Sequence, residues 1–340
     1  MARQFDFTVV QPLGSNPSDM NMQNLSRRAL LASGCAGMLS PWLVGCTAPL
    51  PAMRVGCIVF PGYETLFLAR ELGLLDAQRV RLVELLANTD TLRALAAGQL
   101  EAAAMTLDEL MTARADGVDL RAVLVFDTSA GADVVLAKAP VTLQTLQGKR
   151  VAVEDGAMGA VMLSALLKAA GLKPDQIHKV PMTLDRSEAL FQTSAVDVVV
   201  TAEPWAARLE KAGARRIFDS LAIPGRIVDV LAVRANALQT FGPAIRHLLT
   251  GHFVAQKYMR ESISRAAPLI ASRLQTSAAD VPSLYRGLQL PELAENRTML
   301  ARGGAIDRTA QALQQVMLEA GLLPASSLAE AVADVRFLPL

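Results

Sequence analysis

The feature that most constrains this chain is a strand-and-helix alternation that occurs twice. Short β-branched runs separated by longer segments of helical period are the pattern of a parallel-rich sheet covered by helices. Strands are expected at 55–60, 80–85, 102–105 and 120–126, with helices at 63–74, 91–97 and 107–115 between them. The series then restarts, with strands at 150–153, 178–180, 196–200 and 215–218 around helices at 157–170, 186–193 and 204–212. Two series call for two cores, and 340 residues exceed what one ordinary core serves. Residues 225–233 read as a strand returning to the first core. From Leu238 onward the pattern is helical, interrupted at Gly242-Pro243, Pro282, Pro291, Gly303-Gly304 and Pro324.

The two series also correspond in detail. Each opens with a strand, a glycine-containing loop and a helix start: Val59-Phe60-Pro61-Gly62-Tyr63-Glu64 against Val153-Glu154-Asp155-Gly156-Ala157-Met158. Each later has a strand ending in threonine with a carboxylate two residues on: Met105-Thr106-Leu107-Asp108-Glu109 against Val200-Thr201-Ala202-Glu203-Pro204-Trp205. In open α/β sheets, ligands lie beyond the carboxyl ends of the strands, where helix N-termini point free N–H groups outward. Two such edges face to face make a cleft. The residues expected to line it are Gly62, Tyr63, Glu64, Thr106, Asp108, Glu154, Gly156, Ala157, Glu203 and Trp205, with Tyr63 offering a ring for stacking. Ser129 and Asp133 join them from 127–133, a small-residue stretch that passes from the first half to the second. Simpler roles stand beside these. Thr106-x-x-Glu109 matches a capping box, Pro204 suits a first helical turn, and 61–64 is also ordinary strand-to-helix punctuation.

Composition excludes several function classes. With 33 basic and 32 acidic residues, no strong field draws nucleic acid. The three histidines, at 178, 247 and 252, are far apart in the chain and pair with no cysteine or carboxylate at metal-ligand spacing, so neither a metal nor a cofactor is expected. No Gly-x-Ser-x-Gly elbow occurs and Cys57 falls mid-strand, so no catalytic residue is assigned and the chain is read as a non-enzyme.

The first 46 residues read as an address. Arg27-Arg28 precede an apolar stretch, broken by Pro41 and glycines, that ends in Leu43-Val44-Gly45-Cys46. A basic region followed by a short apolar region is a signal-peptide layout, and the paired arginines resemble the twin-arginine export signal. The four terminal residues resemble a lipobox, which makes Cys46 the expected site of lipidation and palmitate attachment. Two acyl chains hold far better than one, at about 0.8 kcal/mol per buried methylene. Cys35 lies too close to Arg28 for that role, and Met20 or Met22 suits translation initiation. Removing residues 1–45 takes Arg3, Arg27, Arg28, Asp6 and Asp19, and leaves 30 basic and 30 acidic residues.

On these residues the chain resembles the nitrate/sulfonate/taurine-type solute-binding proteins, a family that includes binders of the thiamine pyrimidine precursor. The resemblance runs from about Arg54 to about Arg234. It is carried by residues 62–74, Thr106-Leu107-Asp108-Glu109, residues 146–154, and Val196-Asp197-Val198-Val199-Val200-Thr201-Ala202-Glu203-Pro204-Trp205. It implies an α/β, two-lobed type II periplasmic-binding fold with two crossover strands, hinge closure over a small solute, and ABC permease and ATPase subunits as partners. The expected layout is a signal peptide at 1–46, a tether at 47–52, lobe 1 at 53–138, lobe 2 at 139–224, and a return to lobe 1 with C-terminal helices at 225–340. A lipid-anchored monomer on the extracytoplasmic face is expected. The alternatives are a pyrimidine-related biosynthetic enzyme on the same fold and a ligand-sensing subunit of a membrane receptor. The chain departs from the sulfonate and nitrate pattern in charge. Its expected cleft loops carry Glu64, Asp108, Glu109, Asp127, Asp133, Glu154, Asp155 and Glu203 with no obvious arginine, which favours an amine, an aminopyrimidine or a zwitterion over a bare anion.

Overall fold

Continuous apolar strands set the architecture. Ala102–Thr106 and Val198–Ala202 are buried at every position, as strands covered by helices on both faces must be. The computed structural model describes residues 50–319, 321–324 and 331–340, and all of these fall in one compact unit. The expected signal peptide, with Met20, Met22 and Cys46, lies outside the described residues.

The strands are β1 Met53–Cys57, β2 Val80–Glu84, β3 Ala102–Thr106, β4 Leu120–Ser129, β5 Asp133–Ala137, β6 Arg150–Glu154, β7 His178–Met182, β8 Val198–Ala202, β9 Arg215–Asp219, β10 Val228–Arg234 and β11 Leu288–Gln289. The helices are α1 Glu64–Glu71, α2 Asn88–Ala96, α3 Leu107–Ala115, α4 Ala157–Ala170, α5 Ser187–Gln192, α6 Trp205–Lys211, α7 Ala235–Thr240, α8 Gly242–Glu261, α9 Ile263–Ile270, α10 Val281–Leu284, α11 Leu293–Met299 and α12 Ala305–Glu319. They build two sheets, ordered β11-β4-β10-β3-β1-β2 and β7-β6-β8-β5-β9. Pairing is parallel around β1 and β6, and antiparallel where β10 and β5 enter. The chain crosses from the first sheet to the second between Ser129 and Asp133, and returns between Asp219 and Val228. This is the expected two-lobed α/β fold with two crossovers.

Three details differ from the sequence reading. The strand expected at 55–60 stops at Cys57, because Pro61 and Gly62 open a short 3-10 turn that leads into α1. β4 runs on to Ser129, since its polar end pairs with β10 on one side and β11 on the other. The segment Asp133–Ala137 is a strand of the second sheet, so the passage between lobes lies at 130–132 and not at 138/139.

The two lobes repeat each other in register. Arg54 donates its backbone N–H to Glu101 at 2.7 Å and its Nε at 3.0 Å. Arg150 does the same to Asp197 at 2.9 and 3.0 Å. Each pair is separated by 47 residues, and the second stands 96 positions after the first, from 54 to 150 and from 101 to 197. Both tie the start of the central strand to its neighbour. The outer edge of β4 is closed differently: Asn296 of α11, fully buried, accepts from Val125 N–H at 2.7 Å and donates to its carbonyl at 3.1 Å. A side chain thus supplies the ladder partner that an edge strand otherwise leaves open.

Candidate functional site

Buried carboxyls collect where the two sheets meet. Asp229 on β10 stands opposite Thr106 of β3 on one side and Asp127 of β4 on the other. An aspartate inside Ile227-Val228-Asp229-Val230-Leu231 interrupts a continuous apolar strand, a costly place for a charge. The Tyr63 hydroxyl donates to Asp229 Oδ1. The Tyr63 ring is packed edge-on between Phe60 and Phe126 at 5.1 and 5.2 Å. The stacking role expected for Tyr63 is therefore not what the structure shows: its ring is enclosed by neighbours, and its hydroxyl orients a carboxylate. Gly62 allows the arrangement, because a Cβ there would lie 1.9 Å from Asp127 Oδ2.

Five carboxyls interact in this region: Asp108, Glu109, Asp127, Asp133 and Asp229. Burial raises Asp108 to about 6, Asp133 to about 6 and Asp229 to about 7, the last pushed further by the charge of Asp133. Burial, followed by the neighbouring acid, also holds Glu109 and Asp127 well above the usual carboxylate range. For Glu109, Asp127, Asp133 and Asp229 the main charged neighbours that shift the carboxyl are acids. Both oxygens of Asp108, both of Asp127, Asp133 Oδ2 and Thr106 Oγ1 are buried without a hydrogen bond of good geometry, although Thr106 and the amides of Asp108 and Glu109 hold the Asp108 carboxyl lower than burial alone would, and Asp127 shares a hydrogen bond with Asp229. The Glu109 arm of the expected capping box is formed, with Thr106 N–H donating at 3.0 Å.

Glu154 joins the lobes. From the end of β6 it accepts from Thr89 N–H and Oγ1 of α2 at 3.3 and 3.4 Å, and from Leu184 N–H at 3.3 Å. Gly156 and Ala157 begin α4, whose first turn faces α3: a Cβ on Gly156 would lie 3.8 Å from Glu109 Oε1. Gly159 lets α4 approach, since a Cβ there would meet the Glu154 carbonyl at 2.3 Å. Outside this contact an open groove of about 720 Å³ runs between α2 and α5, lined in part by Thr89, Arg93, Glu154 and Arg186.

The remaining expected residues have other partners. Glu64 is fully buried against Arg273, at 3.0 and 3.1 Å from its Nε, and that guanidinium lies 3.4 Å from the Phe67 ring centre. Burial outweighs this attraction and raises Glu64 to about 7. Ser129 Oγ lies 2.8 Å from Ser220 Oγ and accepts from Asp133 N–H at 3.2 Å, so it ties the two crossovers together. Glu203 accepts from Ala207 N–H at 3.0 Å, which makes it a cap of α6. Trp205 is buried beneath the Arg208 guanidinium. The structure thus gathers Thr106, Asp108 and Asp133 with the expected cleft acids Glu109 and Asp127, adds Asp229, and gives Glu64, Ser129 and Glu203 structural contacts.

Two further groups of nucleophilic or basic type lie outside this cluster. Burial pushes the Cys57 thiol to about 12. Buried His252, 2.8 Å from Thr65 Oγ1, is lowered to about 3. No group of three or more metal-ligating side chains converges among the described residues, and no described helix is long and apolar enough to cross a membrane.

Residues 47–274 match the profile of the NMT1-like family. The chain belongs to that family. Solved structures agree on the fold. The alkanesulfonate-binding protein SsuA of Xanthomonas axonopodis pv. citri, bound to MOPS, matches this NMT1-like chain with a TM-score of 0.68 at 20% identity, over 84% of this chain and 97% of its own. The periplasmic aliphatic sulphonate binding protein SsuA of Escherichia coli matches at 0.66 and 22% identity, over 85% and 91%. The periplasmic nitrate-binding protein NrtA of Synechocystis PCC 6803 matches at 0.66 and 14% identity, over 82% and 83%. No curated protein matches the sequence significantly. The architecture is that of the periplasmic binding proteins.

Proposed function

We propose that this NMT1-like protein is an extracytoplasmic solute receptor that closes its two lobes over a small polar solute and presents it to the permease and ATPase of an ABC importer. The observation that carries this reading is the set of under-bonded, buried polar atoms contributed by both sheets to one place: Thr106, Asp108 and Asp127 from the first lobe, and Asp133 from the second. Buried polar atoms find partners in nearly every native interior. A group of orphans shared between two lobes is accounted for by a solute that supplies the missing partners. Closure then follows from that solute, because only differential affinity for the closed state shifts the population. The fold's occurrence in sulfonate- and nitrate-binding proteins supports the same role.

The leader extends the reading. Cys46 is the lipid-bearing residue that tethers the receptor to the membrane through the segment ending at Ala52, and the protein works as a monomer.

Two measurements test the proposal. Native mass spectrometry of the chain from Thr47 onward, purified without denaturation, is expected to show a co-purified small molecule, whose removal lowers Tm and expands the radius of gyration in solution scattering. A stripped protein with unchanged radius and Tm refutes hinge closure on a solute. Metabolic labelling with palmitate is expected to mark the full chain and to be lost in Cys46→Ala.

A further inference from the structure

The lobe repeat has a consequence for recognition. The shift of 96 residues that carries Arg54 to Arg150 also carries Thr106 to Ala202, the positions facing the two crossing strands. Opposite Thr106 stands Asp229, and opposite Ala202 stands Asp133, again 96 residues apart. The exchange of strands between sheets therefore sets one aspartate at the same place in each lobe: on β5, in its first residue, and on β10, in its second. Both are buried, at 4% and 2% exposure. Asp127 adjoins Asp229 on the neighbouring strand, and Asp108 opens α3 beside Thr106.

Resting on the solute-receptor reading, we infer that Asp133 and Asp229 form a two-lobe carboxylate seat for an organic cation, and that the solute carries two nitrogen groups with N–H donors, as a diamine or an aminoguanidine does. Donor counting supports this. Five carboxylate oxygens, from Asp108, Asp127 and Asp133, lack a hydrogen bond of good geometry, as does Thr106 Oγ1, while Asp229 Oδ1 accepts from Tyr63 and brings charge to the seat. One ammonium offers three N–H donors and fills about half of them. A second nitrogen group fills the rest. Inorganic cations fit less well, since no three metal-ligating side chains converge among the described residues. A bare anion fits least, because it adds charge where the main charged neighbours are acids. Among the described residues no base is a main influence on either carboxyl, and an incoming cation would supply that charge, with charge-assisted hydrogen bonds stronger than neutral ones.

The test uses protein stripped of co-purified solute and titrated calorimetrically at pH 8 with putrescine, agmatine, tetramethylammonium, methanesulfonate and zinc chloride, with solution scattering as the readout of closure. Putrescine or agmatine is expected to bind and close the lobes, and tetramethylammonium, a cation without N–H donors, to bind far more weakly. Asp133→Asn and Asp229→Asn are each expected to weaken the amine by roughly 30-fold or more. Asp229→Glu keeps the charge and is expected to fall between Asn and wild type, which separates loss of charge from loss of fold. Circular dichroism and Tm of the ligand-free variants report folding. Closure by methanesulfonate overturns the cation seat while leaving the solute receptor intact. Amines without effect at millimolar concentration, or Asn variants that bind as wild type does, also overturn it. A protein that no co-purified molecule or probe closes refutes the receptor reading itself.

Discussion

Replacing Asp108 by asparagine should make the ligand-free protein more stable. Burial raises the Asp108 carboxyl from 3.8 to about 6, a difference of about two units. At about 1.4 kcal/mol per unit, this amounts to roughly 3 kcal/mol. The sign follows from the proton count. A carboxyl whose folded pKa lies above its unfolded value takes up protons on folding, so its stabilising contribution is complete below pH 3.8 and is lost as pH rises through about 6. At pH 8 the folded wild type holds a buried charge that its hydrogen bonds at the α3 start only partly offset, and asparagine of the same shape removes it. Asp108→Asn should therefore exceed wild type by about 3 kcal/mol at pH 8, by about 1 kcal/mol less at pH 5 than at pH 7, and by little below pH 4. Buried His252, lowered to about 3, acts in the opposite direction: the unfolded chain protonates it as pH falls through 6.5, which costs the fold stability. That contribution is common to both proteins and cancels in the difference. Urea denaturation of stripped protein at pH 8, 7, 5 and 4 measures the gap from the midpoints. A variant less stable than wild type throughout, or a gap that does not narrow on acidification, refutes the assignment of Asp108 as a buried charge left under-compensated.

Three further substitutions probe the frame around the carboxyls. Gly62→Ala puts a methyl 1.9 Å from Asp127 Oδ2 and should cost about 1–3 kcal/mol, seen as a lower Tm, with much of the loss recovered in the double variant Gly62→Ala/Asp127→Ala. Asn296→Ala leaves Val125 N–H and C=O of β4 unpaired and should cost about 2–3 kcal/mol in a urea titration. In Asp197, the hydrogen bond from Arg150 first of all lowers the carboxyl to about 2, so its contribution is present above pH 3.8 and is lost as pH falls through about 2. The pair is partly exposed, which limits Asp197→Asn to about 1 kcal/mol at pH 7, and the difference from wild type should disappear near pH 2.

How much of this was legible in the sequence depends on the range of the interactions involved. The alternation of strands and helices, the two lobes and the returning strand follow from local pattern. So does the placing of Thr106 and Asp108 at a helix start, because strand ends and caps are local. β5 was not legible, since its five residues Asp133–Ala137 follow a glycine-containing turn and read as its continuation. β11 was hidden for a related reason, as two residues carry no periodicity. The role of Glu64 was misplaced because its partner, Arg273, lies 209 residues away, and no local pattern links the two. The stacking expected of Tyr63 required knowing that Phe60 and Phe126 close around its ring. Asp229 did leave a signal, a lone acid in the apolar strand 227–233. Asp127 left the same one after Val123-Leu124-Val125-Phe126. A charge at that position in a buried strand is better read as a site residue than as the strand's polar end.

The crossed strands explain why such residues are tolerated. A carboxylate in an interior destabilises the fold unless something offsets it, and here the same strand exchange that joins the lobes brings Asp133 and Asp229 within range of each other's charge. A cation in the seat has first to offset the cost of ionising the carboxyls around it. Asp108 and Asp133 are each raised from 3.8 to about 6, so ionising both in the closed form costs about 6 kcal/mol. Turning a mostly open population into a mostly closed one takes about 5.5 kcal/mol of differential affinity. Without the cation, repulsion across the gap favours separated lobes. With it, the same carboxylates become the interaction that holds them together. On the proposed function, the residues that weaken the empty protein would also couple solute capture to closure, and a variant such as Asp108→Asn should gain stability and lose its response to solute together.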